Sequence, residues 1–298
     1  MKIEISQLSK FLKIDHRNEL EIWIEKIKVG LQSILLDLDA TIIKQDTISR
    51  FGIVIYIQST QYGKCYLKFV PQILERYNNE KKIYHTLHKS IMCELVKCYD
   101  EFNCLVLINC GNEVSEWDIS KEEIKKFFTK VYNNRIISSN DSFFHSYERI
   151  LMGKLYNLES VSPQIALYVK KAIELYKKNF SNSTKYIIHG DMHRHNLLVL
   201  NNTIKAIDPI GYIAPYEIEY ARYIGTELEL LVDSCCEEYV HSKWQDMLSF
   251  FDKLSPLIYD ALFIDVVFRM HNATFECDDD KLVNRWLKVL FCIENSYT

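Results

Sequence analysis

The chain has 298 residues, of which 48% are hydrophobic, with a formal charge of −4 and a pI near 6.2. This length and composition predict a globular protein of one large domain or two modest ones, and they exclude a disordered chain. The slight acidity argues against nucleic acid as a partner, because phosphate binding leaves a basic footprint. The longest apolar run, around FGIVIYI, is too short to span a bilayer, and the first residues do not resemble a signal peptide. We therefore expect a cytoplasmic protein without a membrane partner.

The first third of the chain predicts one helix followed by a small sheet. Residues 18–38 place apolar side chains at helical spacing, which predicts an amphipathic helix. The segments ATIIKQDT, FGIVIYIQST and KCYLKFV are short and rich in β-branched and aromatic residues, which favours an antiparallel meander. Helical spacing returns after Pro71, and ELVKCYDEF and CLVLINC then predict two further strands that end before Gly111 and Asn112.

The rest of the chain predicts a mostly helical region. Ser120 with Glu123 three residues later is a capping-box signature, and Ser162 followed by Pro163 is a helix start. One β-like insert, KYIIHGD and LLVLNNTIKAIDP, interrupts the helices, and its Asn201-Asn202 pair favours a hairpin turn.

The predicted fold class is α+β, with two lobes. Residues 1–109 would form an N-terminal lobe around a small antiparallel sheet, with residues 1–40 as a helical extension. Residues 110–298 would form a mostly helical C-terminal lobe that contains the hairpin.

Nine cysteines are scattered along the chain in mostly apolar contexts and without CxxC pairs. This odd count and scatter predict buried, reduced thiols, as expected in the cytoplasm. The adjacent Cys235 and Cys236 are the one exception, since they could form a redox or metal-reactive pair.

Three polar residues of the insert carry the chemistry that the sequence predicts. Asp191 follows one strand, Asn196 comes five residues later, and Asp208 follows the returning strand of the hairpin. Oxygen ligands near a further carboxylate suit Mg²⁺, which takes its other ligands from water and phosphates. Phosphoryl transfer uses such a metal together with a carboxylate that orients the attacking hydroxyl and accepts its proton.

Two other interpretations of this stretch are a polar turn and a zinc site. Asp and Asn favour turns for purely local reasons, so each residue taken singly is unremarkable. His189, His193 and His195 raise the possibility of zinc, but there is neither an HExxH motif nor a distant His/Cys pair at ligand spacing. The combination of Asp191, Asn196 and Asp208 with their strand contexts and the helical region that follows favours the kinase interpretation.

The motif resembles that of a known enzyme family. His189-Gly190-Asp191 with Asn196, followed by Ile207-Asp208 after a hairpin, is similar to the HGDxxxxN and metal-aspartate pattern of the aminoglycoside phosphotransferase family. The ending AIDPIGYIAPYEIEYA looks closest to the branch that contains streptomycin kinases and hydroxyurea phosphotransferases. The resemblance covers the chain from about Thr41 onward and implies a bilobal protein-kinase-like fold, ATP or GTP as the donor, and Mg²⁺.

The resemblance also implies roles for residues of the insert. Asp191 would be the catalytic base, Asn196 and Asp208 would hold Mg²⁺, and His189 would brace the loop. In protein kinases an Arg stands before the catalytic Asp and a long activation segment follows the metal aspartate. Here Gly190 replaces that Arg and only a short loop follows Asp208, so a phosphorylation-switched protein kinase is not expected.

For the first lobe, the resemblance implies a lysine that grips the nucleotide phosphates and a glutamate that pairs with it. Lys68 in CYLKFV and Glu80 in NNEKKIYHTL occupy these positions, with Lys64 and Glu75 as rivals. Lys68 lies nearer the middle of its strand, and Glu80 opens an apolar helical run.

The remaining nucleotide contacts are implied at two further segments. LVLINCGNE, which contains Ile108 and Cys110, would be the hinge against which adenine stacks. The loop KQDTISRFG would cover the phosphates through polar residues such as Ser49. It departs from glycine-rich loops, because Gly52 is its only glycine, and a nucleotide-binding module without catalysis is therefore one alternative function.

The acceptor must be inferred from the acidic residues that follow Ile210. We expect Glu217, Glu219 and Asp265 to contact a cationic aminoglycoside such as streptomycin, which would make the protein an antibiotic-resistance enzyme. A solvated acidic surface is the competing interpretation. An endogenous metabolite with a choline-, amino-acid- or sugar-type hydroxyl is the alternative acceptor, and no obligate protein partner is evident.

Overall fold

The chain divides into two compact units, Met1–Asn112 (unit 1) and Glu113–Thr298 (unit 2). The structure is a computed structural model that describes residues 17–49, 52–71, 76–113, 120–138, 143–154, 159, 161–251, 253, 255–277 and 279–295. Within these ranges the side chains of residues 17–20, 45–49, 237, 276 and 277 are not described.

Unit 1 is built on a five-stranded antiparallel sheet. Its elements are α1 (Arg17–Asp37), β1 (Ala40–Ser49), β2 (Gly52–Ser59), β3 (Gly63–Phe69), α2 (Tyr77–Thr86), β4 (Leu95–Tyr99), a 3₁₀ turn (Asp100–Phe102) and β5 (Cys104–Ile108). The strand order is β1-β2-β3-β5-β4, with all neighbours antiparallel. The predicted N-terminal helix, meander, second helix and two further strands are confirmed.

The core of unit 1 lies between α1 and one face of the sheet. Ile53, Ile55 and Ile57 alternate along β2 and have no exposed surface, because a period of two places them on the same face. Ile24 and Ile27 of α1 belong to the same cluster of buried side chains. The alternation in the sequence therefore determines which face of the sheet the helix covers.

Unit 2 is mostly helical and contains two small β structures. A two-residue strand, β6 (Asn112–Glu113), lies at the division between the units. The elements that follow are α3 (Lys121–Asn133), β7 (Ile136–Ile137), β8 (His145–Ser146), α4 (Tyr147–Gly153), α5 (Pro163–Asn179), β9 (Tyr186–Ile188), β10 (Leu197–Leu200), β11 (Thr203–Ala206), β12 (Tyr212–Ala214), α6 (Glu217–Leu231), α7 (Glu237–Phe251), α8 (Ile258–Asn272) with a π turn (Ala273–Cys277), and α9 (Asp280–Asn295).

Both predicted helix starts in unit 2 are confirmed. The Ser120 hydroxyl accepts from the Glu123 amide at 3.3 Å, and the Glu123 carboxylate accepts from the Ser120 amide at 3.0 Å, which completes the capping box of α3. The Ser162 hydroxyl accepts from the Ile165 amide at 3.3 Å, and Pro163 is the first residue of α5.

The predicted hairpin forms, but the preceding strand belongs to another sheet. β10 pairs with β11, and Asn201 and Asn202 between them have φ values of 49° and 58°, as a tight hairpin turn requires. In contrast, β9 lies in a four-stranded sheet of order β7-β9-β12-β8. The sequence did not predict β7, β8 or β12, because strands of two or three residues are too short to show alternation.

The core of unit 2 surrounds α6 and α8. α8 is buried on nearly every side, as expected for a helix that is apolar all round, yet it contains Asp265, which has no exposed surface. α6 likewise buries Glu219 and Arg222. Buried charges require partners, so these residues mark the part of unit 2 where polar interactions concentrate. Among the described helices, none is both long enough and apolar enough to cross a membrane.

The prediction of reduced thiols is wrong for one pair of cysteines. Cys93 and Cys110 are joined by a disulfide, with their Cα atoms 6.2 Å apart. The Ile108 amide donates to the Glu94 carbonyl at 2.9 Å, and this pairing brings the two cysteines together across 17 residues of sequence. Sequence spacing does not reveal such a pairing. Cys65 and Cys104 are free and buried as predicted, whereas the free Cys236 is exposed.

The cap of α5 provides a test of the fold. We expect Ser162→Ala to lower the free energy of unfolding by about 1 kcal/mol, because the Ile165 amide loses its acceptor. Ser162→Asp preserves an N-cap acceptor and is the matched control. Urea denaturation followed by circular dichroism measures both, and an unchanged midpoint for Ser162→Ala would contradict this role.

Candidate active site

Asp191 and Asn196 lie together in the loop between β9 and β10. The Asn196 side-chain amide donates to the Asp191 carbonyl at 2.9 Å and to its Oδ2 at 3.3 Å. Gly190 has a φ of 80°, and a Cβ there would lie 2.6 Å from a ring carbon of Tyr212. The loop therefore requires glycine immediately before Asp191.

His189 connects this loop to the end of the hairpin. Its ring is fully buried, and Nε2 lies 2.8 Å from the carbonyl oxygen of Ile207 while Nδ1 accepts from the Asp191 amide at 3.3 Å. This arrangement requires the neutral tautomer with the proton on Nε2. Burial lowers the pKa of His189 to about 4, so the ring remains neutral at pH 7. It makes the bracing contacts that the resemblance implied.

Asp208 is held close to Asn196 through the backbone. The Ile207 amide donates to the Asn196 carbonyl at 2.9 Å, and Asp208 follows in a left-handed conformation with a φ of 59°. The side-chain nitrogen of Asn196 is directed at Asp191, which leaves its side-chain oxygen for another partner.

The side chains of Asn196 and Asp208 suit a hard cation. An amide oxygen and a carboxylate are oxygen ligands of the kind that Mg²⁺ takes, with water and phosphate supplying the rest. Within the described residues there is no cluster of three or more His, Cys, Asp or Glu side chains that could hold a metal ion. This donor set fits a magnesium that is shared with a phosphate ligand.

Two arginines pair with the same oxygen of Asp191. Arg222 Nη1 lies 3.2 Å from Asp191 Oδ1, and Arg269 Nη2 lies 3.0 Å from it. Asp265 pairs with both, at 3.0 Å from Arg222 Nη2 and 3.4 Å from Arg269 Nε. We call these four residues, which come from the loop, α6 and α8, the arginine–carboxylate cluster.

The surroundings of Asp191 favour its ionised form. Burial raises its pKa, but the contact with His193, whose Nε2 lies 3.5 Å from Oδ2, and the charge of Arg222 outweigh that effect. The pKa of Asp191 is therefore held well below its usual range. The carboxylate is therefore charged. A ligand can also reach it, because about one fifth of the side chain, 21%, remains exposed.

The three carboxylates predicted to bind a substrate lie inside unit 2. Glu217 is 7% exposed, Glu219 2% and Asp265 0%. Glu217 accepts from the Ser255 hydroxyl at 2.9 Å, and both carboxylate oxygens of Glu219 lie 3.3 Å from the Gly190 amide. This geometry favours a role in holding the loop and the helices over direct contact with a substrate.

Unit 1 contains a buried ion pair. Lys68 Nζ lies 2.7 Å and 2.9 Å from the two carboxylate oxygens of Glu80, and Arg76 lies 3.2 Å from Glu80. Lys68 is 3% exposed and Glu80 1%. The rival Lys64 is exposed on the same strand, and the rival Glu75 lies outside the described residues.

The other predicted nucleotide contacts lie at the edges of the sheet of unit 1. Ile108 ends β5 opposite Cys65 of β3, and Cys110 follows as one half of the disulfide. Ser49 ends β1, but its side chain lies outside the described part of the chain.

Sequence reasoning missed the two arginines of the cluster. Arg269 lies on the largely apolar α8, four residues after Asp265, whereas Arg222 lies on α6 among four glutamates. A charged residue on a helix that is apolar all round needs a buried partner, and this was the available signal. It does not reveal that the shared partner is Asp191.

The fold is similar to that of solved kinase structures. Neither a family model nor a curated protein matches the chain. Among solved structures, the aminoglycoside phosphotransferase APH(4)-Ia is similar at 8% identity and a TM-score of 0.63, covering 91% of this chain and 98% of that one. The choline kinase LicA from Streptococcus pneumoniae is similar at 13% identity and 0.60, covering 90% and 98%.

A third similar structure is the GDP complex of aminoglycoside 2'-phosphotransferase-IIIa, at 14% identity and a TM-score of 0.57, covering 91% of this chain and 99% of that one. The predicted protein-kinase-like α+β fold with two lobes is thus confirmed. At these identities the similarity shows the fold and not the activity, and the streptomycin-kinase branch stays a prediction.

The buried Glu219 makes stability depend on pH. Burial raises its pKa from 4.5 to about 7, so the folded protein retains a proton that the unfolded chain releases. Its contribution to stability therefore falls as the pH rises from 4.5 through 7. We compare the free energy of unfolding of Glu219→Gln with that of wild type at each pH. We expect this difference to shift in favour of the variant by roughly 2 to 3 kcal/mol as the pH rises from 5 to 8.

Urea denaturation at the two pH values measures this difference, and effects of other titrating groups cancel between the variants. Glu174→Gln, which changes an exposed glutamate on α5, is the control and should show no such trend. A difference between Glu219→Gln and wild type that stays constant with pH would contradict the raised pKa.

Proposed function

We propose that this protein is a small-molecule kinase, which transfers the γ-phosphoryl group of ATP or GTP to an alcohol group. The observation that carries the proposal is the arrangement around Asp191, an ionised and partly exposed carboxylate in contact with Asn196. Catalysis of phosphoryl transfer consists mainly of positioning and electrostatic stabilisation, and it needs little covalent chemistry from the protein. A carboxylate that is held in place and still partly exposed suits this task.

Asp191 would orient the acceptor hydroxyl. Its Oδ1 pairs with two arginines at 3.2 and 3.0 Å, whereas the contacts of Oδ2 with Asn196 and His193 are longer, at 3.3 and 3.5 Å. The hydroxyl would therefore donate to Oδ2 and lose its proton there as the phosphoryl group arrives. Asn196 fixes the rotation of the carboxylate through its contact with Oδ2. The side chains of Asn196 and Asp208 would hold Mg²⁺, which when bound neutralises the charge of the nucleotide phosphates.

Lys68 would bind the nucleotide phosphates, oriented by Glu80. A lysine buried against a carboxylate has little freedom of rotation, which preorganises it for a phosphate. The segment from Ile108 to Cys110 would contact the base, and Ser49 the phosphates. The buried pair supports Lys68 over the exposed Lys64 for this role.

The acceptor remains the least specified part of the reaction. The sequence resemblance suggests an aminoglycoside such as streptomycin, and this class is the first to assay. The burial of Glu217, Glu219 and Asp265 removes the acidic contacts on which a cationic acceptor would depend. An endogenous metabolite with a choline-, amino-acid- or sugar-type hydroxyl is therefore the second class.

The role of Asp191 is tested by Asp191→Asn. We expect nucleotide-dependent phosphorylation to fall by about 10² to 10⁴ fold, because an amide cannot accept the proton of the hydroxyl. ADP release with a panel of aminoglycosides and metabolites measures the rate. Asp246→Asn, at an exposed position of unit 2, is the control and should retain wild-type activity. Near-wild-type turnover by Asp191→Asn would refute the assignment.

The role of Lys68 is tested by nucleotide binding, which needs no acceptor. We expect Lys68→Met to weaken ADP binding by roughly tenfold to a hundredfold, since one charge-assisted hydrogen bond is lost. Lys64→Met, at the exposed start of the same strand, is the matched control and should bind ADP as wild type does. The opposite ranking would assign the phosphate contact to Lys64, and nucleotide binding without any phosphorylated product would favour the non-catalytic alternative.

A further inference from the structure

We infer that Arg269 forms a subsite for an anionic oxygen beside Asp191. The inference rests on the proposed function, because it takes Asp191 to contact the acceptor hydroxyl. It extends that function by naming the charge of the group that must lie next to the hydroxyl. It also reverses the expectation that the residues around the acceptor select for a cation.

The guanidinium of Arg269 has one edge that the protein does not use. Nη2 donates to Asp191 Oδ1 at 3.0 Å and Nε points at Asp265 Oδ2 at 3.4 Å. Among the described residues no acceptor contacts Nη1, and the side chain is 17% exposed. Arginine carries five N–H donors in a planar fork, so the two on Nη1 are left without an acceptor among the described residues.

Arg222, the other arginine of the cluster, is more deeply buried than Arg269. It donates to Asp191 at 3.2 Å and to Asp265 at 3.0 Å, its side chain is 8% exposed, and its Nε is buried without an acceptor. Arg222 therefore pairs with both carboxylates while almost fully buried. Arg269 also pairs with both, but its side chain is 17% exposed and lies nearer the surface.

Arg269 is also fixed in position before any ligand binds. Two carboxylates hold two of its nitrogens, and its guanidinium carbon lies 5.8 Å from the centre of the buried Trp286 ring. A guanidinium that is already immobilised loses little entropy when it binds an oxyanion. The charges of Arg222 and Arg269 together offset the repulsion that Asp191 and Asp265 would exert on an approaching anion.

Two kinds of anionic oxygen in the proposed reaction would suit Arg269. One belongs to a carboxylate or phosphate group of the acceptor, and the other belongs to the transferred phosphoryl group. The transferred phosphoryl group must come close to Asp191, since a base contacts the acceptor hydroxyl at about 2.6 to 3.2 Å, and an anionic group that neighbours this hydroxyl on the acceptor does so as well. An ammonium group of the acceptor would instead meet the charge of Arg269.

The experiment compares Arg269→Gln and Arg269→Lys with wild type. Arg285→Gln is the matched control, because Arg285 is a partly buried arginine of α9 that pairs with Glu229 at 2.8 Å and lies outside the cluster. Each protein is assayed for ATP hydrolysis and for transfer to acceptors that differ mainly in charge: glycerate against glycerol, homoserine against 3-aminopropanol, and choline.

The two sources of the anion give different kinetics. If the acceptor supplies it, wild type prefers glycerate and homoserine, and Arg269→Gln raises their KM at least about tenfold while ATP hydrolysis is unchanged. If the phosphoryl group supplies it, Arg269→Gln lowers kcat for hydrolysis and for every acceptor by a similar factor without raising KM. In both cases Arg269→Lys should restore part of the loss, and Arg285→Gln should behave as wild type.

A binding measurement makes the inference independent of turnover. Inorganic phosphate, added at constant ionic strength against chloride and with ADP saturating, should raise the melting temperature of wild type and Arg285→Gln more than that of Arg269→Gln. The difference between variants is the readout. Equal shifts in all three proteins, together with unchanged KM and kcat for Arg269→Gln, would overturn the subsite.

Failure of the proposed function has a different signature. In that case wild type and Asp191→Asn would show the same absence of phosphoryl transfer, whatever the acceptor. The phosphate-induced shift would still depend on Arg269 if the subsite exists.

Discussion

The pairing of buried charges around Asp191 is the constraint on which the candidate site depends. Asp265 has no exposed surface and Arg222 almost none, so each would be severely destabilising without the other. Their pairing joins α6 to α8, and through Asp191 it joins both helices to the loop after β9. The position of the Asp191 carboxylate is therefore determined by the same interactions that allow charges inside the core of unit 2.

Hydrogen bonds also hold the loop that carries Asp191. His189 connects the loop to the end of β11, and Asn196 fixes the orientation of the Asp191 carboxylate. Glu219 contacts the Gly190 amide from α6, so the loop is held from the hairpin and from the helix at once. These contacts leave one face of Asp191 accessible and provide no freedom for it to rotate away. Such rigidity is what positioning catalysis requires, and it agrees with a reaction in which the protein contributes geometry more than covalent chemistry.

Much of the fold could be predicted from local patterns, and the failures have identifiable physical causes. Alternating isoleucines predicted β2, and the capping residues Ser120 and Ser162 predicted where α3 and α5 begin. The two- and three-residue strands were missed because they have no internal periodicity. The disulfide of Cys93 and Cys110 was missed because strand register, rather than spacing in the sequence, brings its cysteines together.

The sequence by itself determined the chemistry that is available: Asp191, Asn196 and Asp208 stand at the spacing of a loop and a hairpin, and Lys68 lies within a strand. These features depend on neighbours along the chain, where turn residues and alternation act locally. Only the tertiary structure decided the surroundings of Asp191, because Arg222, Asp265 and Arg269 reach it from helices 31 to 78 residues away. The acidic residues that the sequence suggested for a substrate became internal partners for the same reason. Burial and pairing depend on how helices pack, and no local pattern encodes them.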